Sequence, residues 1–502
     1  MGPRYRPIML STLTLLALAA FDGMSVAAAL PEIGNDLGIT RLTWVLTAFL
    51  LSSTVSMLAA GTVIDTLGVA LTYRITLILF FVASALCTVA PGLGLLIAAR
   101  VLQGIGGGMV MATTISIIGI NIPDHLRSRA YAANSAVWGV MALAGPALVA
   151  LMVSVGSWRW IFAINLPLVL FAAAIGWKRV AANDESVNPE EPVTDRAARV
   201  RFDTAGLLLV GVFTGLVLVG LSDLRRSSFY AAAAAAIVAA GYWWHSGRAA
   251  SPILGRRYFA TAPFGLLNAI PFTFFAGSLA VDAYIPLYVR GGLGRSTSMA
   301  AFAVAFLALG WTTGSTITSR LLDRIDNITV MLTGFGLAIP PLAVGAAFYS
   351  ASTPLLLVFA LSFMQGLGIG SVTNSTLSLL QRMATAGEMG RASSAHQFVR
   401  NLGGTFGTAL AGAMLFAVVD SRLGSVELVR DLLGGSDDLA VSGPARDAIS
   451  AGFRAAAIAA LLMTLVGVGF ALVTRRWLRR HPTDRGATQA TDLTDHSQGL
   501  AG

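Results

Sequence analysis

The chain has 502 residues, 55% of them hydrophobic and only 12% charged, with a net charge of +9. Soluble domains carry about 25% charged residues, so this composition excludes an ordinary soluble multidomain protein. The basic residues are scattered over short loops and the tail, with no basic–aromatic module, which argues against a nucleic-acid partner.

A helix that crosses a bilayer needs about 20 mostly apolar residues. On that criterion about fourteen spanning helices are predicted, near 8–30, 42–64, 73–91, 94–119, 131–154, 160–177, 204–222, 229–245, 264–289, 299–319, 328–349, 354–379, 394–419 and 452–474. The first run is followed by Leu30-Pro31-Glu32, a poor cleavage site, so it is read as a span and not as a signal sequence. Cys87, the single cysteine, lies in the third run, which leaves no internal disulfide and no cysteine metal cluster.

Loop charge predicts orientation. Arg4 and Arg6 precede the first run, Arg127 and Arg129 follow the fourth, and Lys178, Arg179, Arg196, Arg199 and Arg201 follow the sixth. Arg248, Arg256 and Arg257, then Arg320 and Arg324, then Arg382 and Arg391 follow the eighth, tenth and twelfth, and Arg475, Arg476, Arg479 and Arg480 end the last. An even number of spans puts all of these on one side, so both termini are expected in the cytoplasm; the high Ala, Gly and Arg usage points to a high-GC bacterium, and hence to its cytoplasmic (inner) membrane, on composition alone. Arg225, Arg226, Arg290 and Arg295 fall on the other side without reversing the bias.

Between the runs, 178–203 is polar, carries Pro189 and Pro192, and reads as a cytoplasmic linker. The polar segment 421–450 reads as an external loop or a small external cap, with the loop preferred. Residues 481–502 read as a disordered cytoplasmic tail.

Two of the apolar runs repeat. Residues 102–116 read LQGIGGGMVMATTIS, and 364–378 read MQGLGIGSVTNSTLS. The ungapped register continues, with Arg129 on Arg391, Ala133 on Ala395 and Gly145 on Gly407. A repeat of this kind in membrane-grade sequence predicts two related halves around a shared midplane site, as in many secondary transporters. The fourth run therefore matches the twelfth. Two spans near 204–222 and 229–245 have been inserted between the halves and are expected at the periphery. The resulting organisation is a six-helix bundle over 1–177, the linker, two additional helices over 204–247, and a second six-helix bundle over 248–480. Upstream of the repeats Arg100 has Ser362 as its counterpart, and downstream Arg400 has Trp138.

The motifs have a family likeness. The first run reads FDGMSVAAALPEI, keeping Asp22, Val26, Ala29, Leu30 and Pro31 of the pattern LDxTIVNVALPxI. The fourth reads LIAARVLQGIGGG, with Arg100, Gln103, Gly104 and Gly106; the sixth begins WRWIFAINLP. Asp203-Thr204-Ala205-Gly206 and Pro252-Ile253-Leu254, followed by Arg257-Tyr258-Phe259, complete the set. The chain thus resembles the major facilitator superfamily, and within it the fourteen-helix drug:proton antiporters, over nearly its whole length. The resemblance implies an all-α integral membrane protein of major facilitator fold, two six-helix bundles plus two central helices. It implies proton-coupled export of amphipathic small molecules such as drugs or antibiotics. The proton gradient is then the energy source, no cofactor is needed, and the lipid bilayer is the setting; a monomer is expected. Two patterns are altered here. The loop after the second run keeps Gly61, Asp65 and Gly68, with Thr66, Val69 and Ala70 at its basic positions; the second-half loop keeps Asp323-Arg324. The antiporter motif of the fifth run survives as Gly145-Pro146, with Val149 and Ala150 replacing glycines.

Each candidate carries two readings. Asp22 lies mid-run, where a carboxylate is costly and usually faces a cavity. It is a proton-coupling group or a structural partner of a neighbouring polar helix. Arg100 belongs to the motif that the resemblance implicates in proton transfer, or it holds the first and fourth helices together by binding Asp22 or backbone carbonyls. Asp282 is a second protonatable group or outer-gate partner, or an interfacial residue in water. Arg400 pairs with an anionic substrate group, snorkels to the interface or makes a structural pair. Gly145 and Pro146 bend the fifth helix, with or without directional meaning. Asn134, Asn165, Asn268, Gln365, Asn374 and Gln397 line a pathway or bond between helices. Trp138, Phe272, Phe274 and Phe275 stack on an apolar substrate, face lipid or pack. Together with Gly145 and Pro146, Gly61, Asp65, Gly68, Gln103, Gly104, Asp323 and Arg324 are the conformational or gating candidates. No GxxxxGK[ST] loop or enzyme motif is present, so no ATPase or other enzyme activity is expected. Lipid or metabolite transport, in either direction, and a transport-inactive sensor or assembly protein are the alternatives.

Overall fold

The structure, a computed structural model, describes residues 5–37, 43–181, 202–222, 226–322, 324–385, 388–424 and 442–481. Asp323, most of the expected linker, 425–441 of the expected external loop and all but His481 of the expected tail lie outside the described residues.

Long apolar runs broken by Gly and Pro dictate helices joined by short turns, and the described residues are built that way. The long helices are α1 (Arg6–Leu37), α2 (Thr43–Leu67), α3 (Val69–Val89), α4 (Leu93–Asn121), α5 (Asp124–Val155), α6 (Asn165–Ala181), α7 (Thr204–Ser222) and α8 (Arg226–Ser246). They continue with α9 (Phe264–Asp282), α10 (Thr297–Leu321), α11 (Asn327–Phe348), α12 (Leu355–Met383), α13 (Met389–Leu423) and α14 (Gly443–Arg480). Ten stretches among the described residues are long and apolar enough to cross a membrane. Helices α1, α5, α7 and α8 occupy the other four stretches expected to span. Gly68 alone joins α2 to α3, at φ 85°, a turn that a side chain would strain. Helix α14 starts earlier than the apolar pattern predicts, because Ser442 and Pro444 open it inside the segment expected to be loop.

The repeat is visible in the packing. Helices α4 and α12 are both 29 residues long and begin and end at matching register positions. Helix α4 packs on α2 and α3, and α12 packs on α10 and α11. The shared glycines are the crossing points. A Cβ on Gly104 would strike the Phe49 carbonyl of α2, and one on Gly366 would strike the Leu307 carbonyl of α10. The halves meet where α2 lies on α13 and α5 on α10.

Helices α7 and α8 pack on each other, and α7 also touches α2 and α13. Their outer faces are exposed at Tyr230, Ile237 and Trp244, matching the expected periphery. Asp203 ties the pair down. Its carboxylate accepts from Gly206 N at 2.8 Å and Ile253 N at 3.2 Å, and lies 2.7 Å from His245 Nε2. Two motifs far apart in sequence are thus one structural knot.

Candidate functional site

Apolar packing leaves polar side chains inside a bundle only where they satisfy one another. The first bundle contains such a cluster, assembled from five helices. Asp22 of α1 and Arg100 of α4 are fully buried, with Arg100 Nη1 donating to Asp22 Oδ2 at 2.7 Å. The same nitrogen donates to Gln103 Oε1 at 2.8 Å, and Arg100 Nε donates to the Val45 carbonyl of α2 at 3.3 Å. Gln103 Nε2 donates to Ser84 Oγ of α3 at 3.1 Å, and Cys87 Sγ donates to Gln103 Oε1 at 3.3 Å. Asn165 of α6 donates to Ser84 Oγ at 3.2 Å and reaches Asp22 Oδ1 only at 3.5 Å. The guanidinium lies over the Phe49 ring, 4.1 Å from its centroid.

The two oxygens of Asp22 are therefore unequal. Oδ2 is held by a short charge-assisted bond, whereas the Asn165 contact to Oδ1 is long. Asn165 Oδ1 and Arg100 Nη2 are buried and make no hydrogen bond. The structure thus joins Asp22, Arg100, Gln103 and Asn165, which the sequence placed in three separate roles.

The second bundle is built differently. Asp282 ends α9, and only 7% of it is exposed. It is not the water-exposed interfacial residue that one sequence reading allowed: the last residue of α9 is buried against α11 and α12 around a small cavity. The turn that follows carries Pro286 and a wide π turn over Tyr288–Gly292. Asp282 Oδ2 has no hydrogen-bond partner and faces a cavity also lined by Gln365, Ser362, Tyr349 and Pro341.

The seam between halves is closed at the end that carries Arg6 and Arg480. Asp65 of α2 accepts from Gly390 N at 2.8 Å and from Arg391 N and Nε at 3.0 Å, an anion at the N-terminus of α13. Gly61 lies so near Gly390 and Ser394 that a Cβ would collide with both. Ser315 of α10 donates to Ser135 of α5 at 2.7 Å, and Tyr131 of α5 donates to Gln381 of α12. Arg391, Tyr131, Gln381 and Ser315 were missed as site residues; only the alignment of Arg391 with Arg129 marked one of them.

Further along the seam, Arg400 of α13 is partly buried and lies over Phe275 of α9, 5.3 Å from the ring centroid. Its Nε has no partner and its nearest polar contact is Asn401 Oδ1 at 3.5 Å, so it neither snorkels to the end nor makes an ion pair among the described residues. It lies about 16 Å from the start of the helix at 1.5 Å per residue. Trp311, edge-on to Phe275 at 6.2 Å, and Gln397 each leave a buried polar atom unpartnered.

Other candidates are structural in their contacts. Asn268 donates to the Tyr258 carbonyl at 2.9 Å and lies 3.1 Å from His396 Nδ1. Asn374 donates to Ser315 of α10. Phe272 packs on Phe406, and Trp138 packs against the core of the first bundle. Gly145 is buried with open space around its Cα; Pro146 lies within α5. Arg324 is exposed.

A second cavity, of about 260 Å³ and mostly apolar, opens between α7, α8 and α13, lined by Val210, Tyr242, Trp243, Phe398 and Leu402 among others. Among the described residues no group of acidic, His and Cys side chains could hold a metal ion.

Comparison with known proteins agrees with this architecture. Residues 12–408 match the model of the Major Facilitator Superfamily. A multidrug transporter protein of Bacillus subtilis is 30% identical over 431 residues, covering 83% of this chain and 76% of that one. A probable multidrug-efflux transporter of Mycobacterium tuberculosis is 30% identical over 442 residues, covering 85% of this chain and 91% of that one. Among solved structures, the human organic anion transporter MFSD10 aligns with a TM-score of 0.59 at 12% identity, over 92% of this chain and all of that one. The proton:xylose symporter XylE aligns with a TM-score of 0.59 at 15% identity, over 93% and 95%.

Proposed function

The chain belongs to the Major Facilitator Superfamily and is a multi-pass membrane transporter of small molecules, and within that frame we propose that it exports amphipathic compounds such as drugs or antibiotics in exchange for protons. Similarity to chains named as multidrug transporters supports the substrate class. One observation carries the proton coupling: the buried Asp22–Arg100 pair with one carboxylate oxygen weakly held.

The chemistry follows from that asymmetry. A proton arriving from outside binds Oδ1 of Asp22, the oxygen without a strong donor. The new O–H needs an acceptor, and the unpartnered Oδ1 of Asn165 supplies one after its amide turns. Neutral Asp22 loosens its hold on Arg100, so the contact between α1 and α4 differs between protonation states. The bundles then rock about the α2–α13 and α5–α10 seams, the Asp65–Arg391 latch opens, and substrate exchanges for the proton on the inside. The loop arginines favour the termini side as cytoplasmic, in a bacterial inner membrane. Aromatic Phe275 and Trp311 beside Arg400 offer the substrate an apolar wall with a cation that has no ion-pair partner among the described residues.

The test uses proteoliposomes with an imposed pH gradient and a panel of cationic, neutral and anionic fluorescent dyes. Asp22→Asn should abolish gradient-driven transport of every dye that the wild type moves, while the protein remains folded. Efflux that continues unchanged in Asp22→Asn would sink the coupling role.

A second reading, transport of lipid or an apolar metabolite, is favoured by the apolar cavity between α7, α8 and α13. Phe213 of α7 also lines that cavity, and this reading predicts that Phe213→Trp, which narrows it, slows movement of a fluorescent phospholipid between leaflets. Dye efflux unaffected by the same change would separate the two.

A further inference from the structure

We propose that the second bundle binds one small monovalent cation, of sodium-ion size, beside Asp282, in the place that the first bundle fills with the guanidinium of Arg100. The inference is independent of which compound the protein moves and of its direction.

Internal symmetry is the first support. Helices α4 and α12 coincide in length and register, which sets Gln365 on Gln103 and Ser362 on Arg100. Helices α1 and α9 open their bundles, and each carries one deep acid, Asp22 and Asp282. The second bundle has therefore kept the acid and the glutamine and lost the tethered cation between them.

The polar inventory is the second. Asp282, Ser362 and Gln365 are 7%, 3% and 3% exposed. Asp282 Oδ2, Ser362 Oγ, Gln365 Oε1 and Gln365 Nε2 make no hydrogen bond among the described residues. All three residues line the same cavity. Such a concentration of unmatched buried polar atoms is exceptional in a native interior. Carboxylate, amide and hydroxyl oxygens form a donor set suited to a hard cation.

Size and field select the occupant. The cavity offers about 20 Å³ to the centre of a water-sized sphere, room for about one water and not for a guanidinium or a drug. Helix α9 ends at Asp282, and its terminal carbonyls put the negative end of the helix dipole at the acid. Interrupted helices whose carbonyl ends face an ion recur among membrane transporters. Removing an ion from such a site leaves an uncompensated buried carboxylate, so cation binding is expected to stabilise the fold by mass action.

The experiment is thermal unfolding of the purified full chain in detergent, at fixed ionic strength, with NaCl, LiCl or KCl replacing choline chloride. The wild type should unfold several degrees higher in Na⁺ or Li⁺ than in choline, and equilibrium dialysis with ²²Na⁺ should find one ion per chain. Asp282→Asn should lose both signals, and Gln365→Leu should weaken them. Asp22→Asn should keep them, which separates this site from the proton-coupling pair. Ser362→Ala, which removes one oxygen from the site without adding volume, should also weaken both signals, and it carries the test if Asp282→Asn does not fold. A wild type with no cation-specific shift, or an Asp282→Asn protein with the same shift, would overturn the proposal.

Discussion

Asp22 and Asp282 sit on the first helices of their respective bundles, and the contrast between their surroundings is the most informative one in the molecule. Asp22 is fully buried and held at 2.7 Å by Arg100, inside a network that reaches α2, α3 and α6. Asp282 is nearly as buried and has an oxygen with no partner, next to a cavity. The helix crossings beside the two match: glycines at the same register positions close α4 on α2 and α12 on α10. Duplication has therefore preserved the helix crossings, which tolerate no side chain, and freed the polar positions between them to diverge. Burial of an acid is a property of the scaffold here; its neutralisation is a property of one residue, Arg100 or Ser362.

The largest effect should come from breaking the buried pair on one side only. Arg100→Ala leaves a buried carboxylate uncompensated, which typically costs about 3–5 kcal/mol. Thermal unfolding should show a fall of many degrees, and proteoliposomes should show no gradient-driven transport. Replacing both partners, Asp22→Leu with Arg100→Met, should recover most of the stability and none of the transport, since well-packed apolar pairs are often as stable as buried ion pairs. A double variant as unstable as Arg100→Ala would mean that the pair supports the fold through packing and not through charge compensation.

Next in size is the latch that lets one bundle move against the other. Asp65 takes three hydrogen bonds from the start of α13, and bonds to a charged group are worth about 1.5–3 kcal/mol each. Asp65→Ala should shift the population towards a state open at the termini end by more than tenfold. Distances between spin labels at the termini ends of α2 and α13 would show this as a longer component. Gly61→Val should act in the same direction, because its side chain meets Gly390 and Ser394. If neither variant lengthens that distance, the seam is held elsewhere.

Removing the acid from the second bundle should do the reverse of removing Arg100 from the first. In choline, Asp282→Asn relieves an unpartnered buried charge and should stabilise the protein by about 1–3 kcal/mol. Destabilisation of that variant under the same conditions would show that Asp282 has a partner in solution and would weaken the contrast with Asp22.

Much of this contrast was legible in the sequence, for physical reasons that also mark where legibility stopped. The helices follow from the length of apolar runs, and the repeat gave the pairing of α4 with α12, hence Ser362 at the place of Arg100. Asp22 stood out because an acid mid-span demands an explanation. The burial of Asp282 did not, because run length cannot show where α9 ends or which cavity its last residue lines. The latch was half visible. Asp65 belongs to a recognisable loop motif, but its acceptance of Gly390 N and Arg391 joins residues far apart in sequence, with no periodicity to betray it. For Asn165 the sequence leaves pathway lining and bonding between helices open, since a spanning pattern fixes depth and not facing direction, and its contacts to Asp22 and Ser84 are of the second kind.

The smallest effect is expected of the exposed pair at the loop end of the same first bundle, and it isolates burial as the variable. Asp36 accepts from Arg159 Nη1 at 2.7 Å, the same distance as the buried pair, and from Trp158 Nε1 at 3.0 Å. The hydrogen bond from Arg159, then that from Trp158, holds the Asp36 carboxyl below the ordinary carboxylate value. A depressed value contributes stability that is present above the ordinary carboxylate range of about 3.9 and is lost as pH falls through the folded value. Asp36→Asn should therefore lower the unfolding temperature at pH 7 by only about one degree, because exposed pairs are screened by water. The gap between variant and wild type should close as the pH is lowered below about 4. Equal geometry with unequal cost is what the comparison requires. If breaking the exposed pair at pH 7 costs as much as Arg100→Ala, the distance between the partners matters more than their removal from water, and the contrast between Asp22 and Asp282 loses its physical basis.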